Sequence, residues 1–277
     1  MSSITTAQGS VHYEVYGRGR PVILLHGWLG SWGLWQETMA YLGKNYRTYA
    51  MDFWGFGESG TKRVTYDVND FVSLVDQFME QLGILRAPLV GHSMGGTVSL
   101  SVAIRYPERV SKVVVVGSPI VGSSLAPLLK LAGYRMNAFL IFNMMGGFRA
   151  FMKNYYSRQI CSDPRFPEMM DRDLSKTTLE SFLRSIASLR RTDLRPNLGK
   201  IQVPVLGVYG DRDKVVDPKE WQPLKAGVPH AEILRYDHAG HFSMLEEPQS
   251  FNQKLKEFLD VPDLMPQKTS TPEKITT

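Results

Sequence analysis

Ser93 stands in Gly91-His92-Ser93-Met94-Gly95, a serine flanked at two residues on either side by glycine. A serine hydroxyl is a weak nucleophile unless a base takes its proton and the oxyanion formed by its attack is stabilised. The G-x-S-x-G spacing serves both needs where a strand turns sharply into a helix. Such a turn strains the serine, exposes its oxygen and aims backbone N–H groups at one point, and side chains at 91 or 95 would meet neighbouring backbone. Apolar Leu89-Val90 precedes the motif, and a helical pattern over residues 95–106, ended by Pro107, follows it. The chemistry indicated is attack of Ser93 on an acyl carbonyl.

The expected oxyanion donors are the backbone N–H groups of Met94 and of Trp28, the latter in His26-Gly27-Trp28 at the end of another apolar run. Six histidines compete for the role of base. His12 reads as part of an edge-like strand, His26 as bracing for the oxyanion loop, His92 as a side chain leaving the turn in another direction, and His230 as surface. His238 and His241 remain, both in Asp237-His238-Ala239-Gly240-His241. His241 is preferred, because Gly240 frees its loop and a helical pattern starts just after it. The base needs a carboxylate to fix its tautomer and stabilise the imidazolium. Asp211, Asp213 and Asp217 all follow one apolar run; Asp213 is preferred, with Asp211 as the alternate.

These side chains need a scaffold that brings distant loops together. Residues 11–16, 21–25, 47–52, 87–90, 113–116, 203–209 and 231–236 read as strands, several of them continuously apolar and therefore covered on both faces. Helical patterns at 34–42, 67–82, 95–106 and 249–259 alternate with them, which predicts an α/β fold with a mostly parallel sheet. The rhythm breaks after Pro119. The predicted organisation is a core of residues 1–118 and 201–261, a helical insertion at 119–200, and a Pro/Thr/Lys-rich tail at 262–277 with little to bury.

The insertion is rich in aromatic and methionine side chains, of which Phe139, Phe142, Met144, Met145, Phe148 and Met152 are the candidates for lining a substrate pocket. It carries 13 Lys/Arg against 6 Asp/Glu, in a chain of net charge +5, and these are read as solvated helix faces. No nucleic-acid module is recognisable, and basic charge alone would not define one. No apolar run is long enough to span a membrane, and residues 1–9 lack the charged and apolar regions of a signal peptide. The single cysteine, Cys161, excludes an intrachain disulfide and is compatible with a cytoplasmic location. The glycines at 55 and 57 lack dinucleotide or phosphate-loop spacing. No cofactor or metal is called for.

The motifs Gly91 to Gly95, His26-Gly27-Trp28, Asp52-Phe53-Trp54-Gly55-Phe56-Gly57-Glu58-Ser59, Gly210-Asp211-Arg212-Asp213 and Gly240-His241 occur in an order that resembles the α/β-hydrolase superfamily, especially small esterases with a helical cap. The resemblance covers about residues 10–260 and implies an eight-stranded, mostly parallel sheet with a cap inserted after the sixth strand. It implies Asp213 over Asp211 as the acid, and it supports His241 and the Trp28 amide. Related dehalogenases and epoxide hydrolases use an aspartate where Ser93 stands. The expected activity is hydrolysis of a small-to-medium hydrophobic or aromatic ester. The alternatives are cleavage of a thioester, lactone, amide or carbon–carbon bond, or binding without catalysis on the same fold. The expected partner is a small molecule, with peripheral membrane contact and oligomeric state left open.

Overall fold

Short runs of Val, Ile and Leu, punctuated by glycine and proline, build eight strands: β1 (Ser2–Thr6), β2 (Gly9–Tyr16), β3 (Arg20–Leu25), β4 (Tyr46–Met51), β5 (Ala87–His92), β6 (Val110–Val116), β7 (Val205–Gly210) and β8 (Glu232–Tyr236). The computed structural model describes residues 2–60, 64–127, 129 and 145–262. The strands form one sheet in the order β1-β2-β4-β3-β5-β6-β7-β8. β2 is antiparallel to both its neighbours, and every pairing from β4 across to β8 is parallel. Every residue of β6 and β7 is buried, as strands with both faces covered require.

Three helices precede β6 or lead into it: α1 (Gln36–Leu42), α2 (Val68–Gln81) and α3 (Met94–Arg105). Between β6 and β7 come α4 (Met145–Phe151), a π-helical turn (Met152–Tyr156), α5 (Ser157–Ile160), α6 (Phe166–Ser175) and α7 (Leu179–Arg191). α8 (Trp221–Gly227) joins β7 to β8, and α9 (Ser243–Glu246) and α10 (Pro248–Asp260) follow β8. α2 buries Phe71, Leu74, Val75 and Phe78 on one stripe and packs on α3, which in turn covers β5 and β6. α7 begins with a capping box between Thr178 and Ser181 and ends on Arg190 and Arg191, the favourable sign at a helix C-terminus.

Two features depart from expectation. β1 is a strand where the Ser/Thr-rich start suggested none: Ile4 and Thr6 are buried while Ser3 and Thr5 are exposed, the two-residue alternation of a strand with one covered face. Its pairing with β2 also corrects the reading of His12 as an edge residue, since β2 lies inside the sheet and His12 is buried. The candidate pocket residues Phe139, Phe142 and Met144, the Met145 side chain and the tail from 263 lie outside the described residues.

Two buried charged groups hold the frame together. The Lys112 ammonium on β6 donates to the carbonyls of Phe258 and Leu259 at the end of α10, at 2.9 and 3.0 Å, and to that of Val261. The Glu220 carboxylate, just before α8, accepts from the N–H groups of Ile120 and Val121 at 2.5 and 2.8 Å. It thereby fixes the chain where it leaves β6 for the inserted helices. Many basic side chains of residues 119–200 are committed to local ion pairs, such as Arg149 with Asp171 and Lys153 with Glu168.

Candidate active site

β5 runs straight into α3, and the link is Ser93, with φ 51° and ψ −119°. A non-glycine residue in that region carries strain that the surroundings must impose. They do so through sterics and hydrogen bonding. The Ser93 N–H donates to the Val116 carbonyl of the next strand at 2.8 Å. A side chain on Gly91 would run into the backbone of Gly95 and Gly96, and one on Gly95 into the carbonyls of Leu25 and His26. Met94 opens α3, so its N–H has no acceptor within the helix, while its side chain is fully buried in the core.

The loops after β7 and β8 bring Asp213 and His241 together, with Oδ2 of Asp213 2.7 Å from Nδ1 of His241 and both side chains buried. The other Asp213 oxygen accepts from the N–H groups of Val215 and Val216 at 2.7 and 2.9 Å, which fixes the carboxylate's orientation. That arrangement assigns Nδ1–H of His241 as the donor, so that Nε2 is the ring nitrogen available to accept a proton. Gly117, after β6, has φ 54°, and a side chain there would sit 3.1 Å from Nδ1 of His241 and 3.4 Å from Oδ2 of Asp213. It is a site residue that motif reading passed over; its one signal is a glycine ending the valine run of β6.

The competing residues are otherwise engaged. Asp211 pairs with Arg235 through both oxygens, at 3.0 and 2.6 Å, and Asp217 caps the turn before α8 by accepting from the Lys219 N–H. His238 is exposed and accepts from Arg212, and His230 meets the Val203 carbonyl at the surface. His92 donates from Nε2 to the His241 carbonyl at 3.0 Å and so holds the backbone of the candidate base. His26 donates from Nδ1 to the Gly27 carbonyl and accepts the Phe53 N–H at Nε2. Burial pushes the pKa of both these imidazoles down, which favours their neutral forms.

The loop after β3 carries Trp28. Gly27 lies so close to the nucleophile turn that a side chain there would be 2.7 Å from Nδ1 of His92 and 3.1 Å from Cβ of Ser93. Trp28 itself is half-buried: its indole N–H donates to the Phe182 carbonyl of α7 at 3.1 Å and its ring packs on the Phe182 ring. Leu29 follows at φ 59°, and the Gly30 N–H closes the turn on the Gly27 carbonyl. Further along, the Trp32 N–H is held by the buried carboxylate of Asp52 at 2.7 Å. Asp52 also receives the Glu58 N–H and faces His12 at 3.0 Å, which raises the His12 pKa. The glycine-rich run after β4 is therefore a brace around Asp52, a role its spacing left unassigned.

Ser93, His241 and Trp28 line one cavity. Its walls are mainly apolar, with Met152, Ile160, Phe166 and Met170 contributed by the inserted helices. Of the pocket candidates within the described residues, Met152 is in the wall. Phe148 is outside it, edge-on to Phe182. Two polar side chains of the same helices also reach the cavity, Tyr156 and Asp173, neither singled out from the sequence. Burial raises the pKa of each. Their signal is invisible without knowing which turns of α6 and the π-helical turn face inward.

The strand order, the strained serine after β5 and the Asp–His pair after β7 and β8 are features of one class of enzymes, the hydrolases of the α/β type. The chain belongs to the alpha/beta hydrolase fold family, whose profile matches residues 20–248. It is similar to 3-oxoadipate enol-lactonase 2 of Acinetobacter baylyi, 27% identical over 257 residues that cover 92% of this chain and 94% of that one. It is similar as well to 1-acylglycerol-3-phosphate O-acyltransferase ABHD5 of Homo sapiens, 27% identical over 274 residues, with 88% and 78% covered. Among solved structures, the bromoperoxidase from Bacillus anthracis shares the fold with a TM-score of 0.80 at 24% identity, over 93% of this chain and 99% of that one. No helix among the described residues is long and apolar enough to cross a membrane.

Proposed function

We propose that this hydrolase is a carboxylesterase, acting on small-to-medium hydrophobic or aromatic esters through an acyl-enzyme on Ser93. The observation that carries the reading is the buried Asp213–His241 contact of 2.7 Å, opening on the apolar cavity that Ser93 also lines. Nε2 of His241 takes the Ser93 proton as the oxygen attacks the ester carbonyl, and the N–H groups of Met94 and Trp28 hold the oxyanion. The imidazolium then protonates the departing alcohol, leaving the acyl group on Ser93. Water attacks that ester with its proton passing to Nε2, and collapse returns the proton to Ser93 and releases the acid. Each oxyanion donor is worth about 3 kcal/mol of transition-state stabilisation. Residues 119–200 act in this scheme as a cap that keeps water from the reacting carbonyl and strengthens the electrostatics beneath it.

The test is labelling by a fluorophosphonate probe, read by intact mass. One adduct per chain at Ser93 is expected, with turnover lost in His241→Ala and kept in His238→Ala. Absence of an adduct on folded protein would remove the mechanism, and loss of turnover in His238→Ala alone would move the base. The likeness to an enol-lactonase favours a second substrate class, cyclic esters, which the same groups open without change of roles. Comparison of kcat/KM on open-chain esters graded by acyl length and on lactones decides between them.

A further inference from the structure

Among the described residues Asp173 is the one carboxyl group in the wall of the cavity, and it is 5% exposed. Its Oδ1 accepts from the Ser31 hydroxyl and from Nε of Arg172, both at 2.9 Å. Among the described residues Oδ2 receives no hydrogen bond. Oδ2 is not fully sealed off, which leaves it a free acceptor for a group bound in the cavity. We propose that Asp173 is a specificity residue that recognises a hydroxyl group on the substrate, carried on the portion of the chain that lies along α6. This rests on the cavity being the ester site of the preceding reading.

A hydroxyl fits better than an ammonium group. Arg172 already offsets the charge of Asp173, and burial pushes its pKa up, towards a form that no longer attracts a cation. A hydroxyl can donate to the ionised carboxyl or exchange roles with the neutral one, so it is matched in either state. Against the apolar walls of the cavity the same hydroxyl would lose its water without replacement, and binding would weaken. Preference for the hydroxylated ligand is therefore a reversal of sign, not a small improvement. Tyr156 is the competing polar group in the wall.

The experiment uses the full chain carrying Ser93→Ala, so that esters bind without turnover, with calorimetry of ethyl alkanoates against ethyl ω-hydroxyalkanoates of matched length. At one chain length the hydroxylated ester is expected to bind about tenfold more tightly, the worth of one net hydrogen bond. Adding Asp173→Leu should reverse the preference, while Asp173→Asn, whose amide still bonds a hydroxyl, should keep most of it. Ser31→Ala and Tyr156→Phe should leave it in place. A flat ratio at every length overturns the proposal. So does a preference that survives Asp173→Leu, or one lost equally in Ser31→Ala or Tyr156→Phe. Labelling of the parent chain by the fluorophosphonate is read separately: its failure beside an intact binding preference removes the Ser93 mechanism and leaves Asp173 standing.

Discussion

Asp213→Asn isolates what the buried carboxylate contributes. In the parent, one oxygen accepts two backbone N–H groups, from Val215 and Val216, and the other accepts from His241. An asparagine must keep its carbonyl oxygen on the two backbone donors, because turning its NH₂ there would set three donors against one another. The NH₂ then faces Nδ1 of His241 at about the parent's 2.7 Å. Only an imidazole with Nδ1 unprotonated tolerates that, so the proton moves to Nε2, the nitrogen that must receive the Ser93 proton. The fold is left intact while the base is held in the wrong tautomer. The same change in a serine protease costs about 10⁴ in kcat, or about 5 kcal/mol. Initial rates on a short p-nitrophenyl ester measure it, with thermal unfolding as the check on folding. A folded variant whose kcat stays within about tenfold of the parent would refute the tautomer reasoning.

Three further outcomes follow from the same structure. Ser93→Gly should be about 1 kcal/mol more stable than Ser93→Ala in urea unfolding, since relief of the strain at φ 51° outweighs glycine's entropy cost; equal or inverted stabilities would mean the turn is unstrained. Trp28→Phe removes the indole donor to Phe182 and should cost about 1 kcal/mol of local stability, speeding amide exchange in α7 about fivefold. Unchanged exchange would show that the tether carries no load. The pKa of His12 is raised, chiefly by its hydrogen bond to Asp52 with Glu14 adding to it, so its stabilisation is complete below the ordinary value of 6.5 and lost as pH rises through the raised one. The stability gap between parent and His12→Gln should accordingly be wider near pH 5.5 than near pH 9, about one unit below and well above that range; a gap that widens with pH would reverse the assignment.

Ser93 and the strand–helix junction around it were readable because the motif is local: glycine spacing, apolar run and helix all lie within a few residues. Other parts are local only in space. Asp211 and Asp213 differ by two positions, and what separates them is that Arg235 on β8 captures one while His241 meets the other. β1 escaped notice because its covered face is supplied by Ile4 and Thr6 alone, too little apolar content to stand out from a polar terminus. The glycine run after β4 matches no ligand-binding spacing, and its partner, the buried Asp52, shows its purpose only once Trp32 and His12 arrive from other strands and loops. Asp173 is a common helix residue until α6 is laid over the Ser31 loop.

The carbonyls that receive Lys112 are supplied by residues almost 150 positions later in the chain. During synthesis β6 emerges long before those acceptors exist, and a buried ammonium without partners costs several kcal/mol. The end of α10 therefore completes the frame around β6 last, after every strand of the sheet has been made. Loss of residues 258–261 would take those three carbonyls from β6, the strand whose Val116 carbonyl holds the Ser93 N–H, so the reactive turn depends on the far end of the chain.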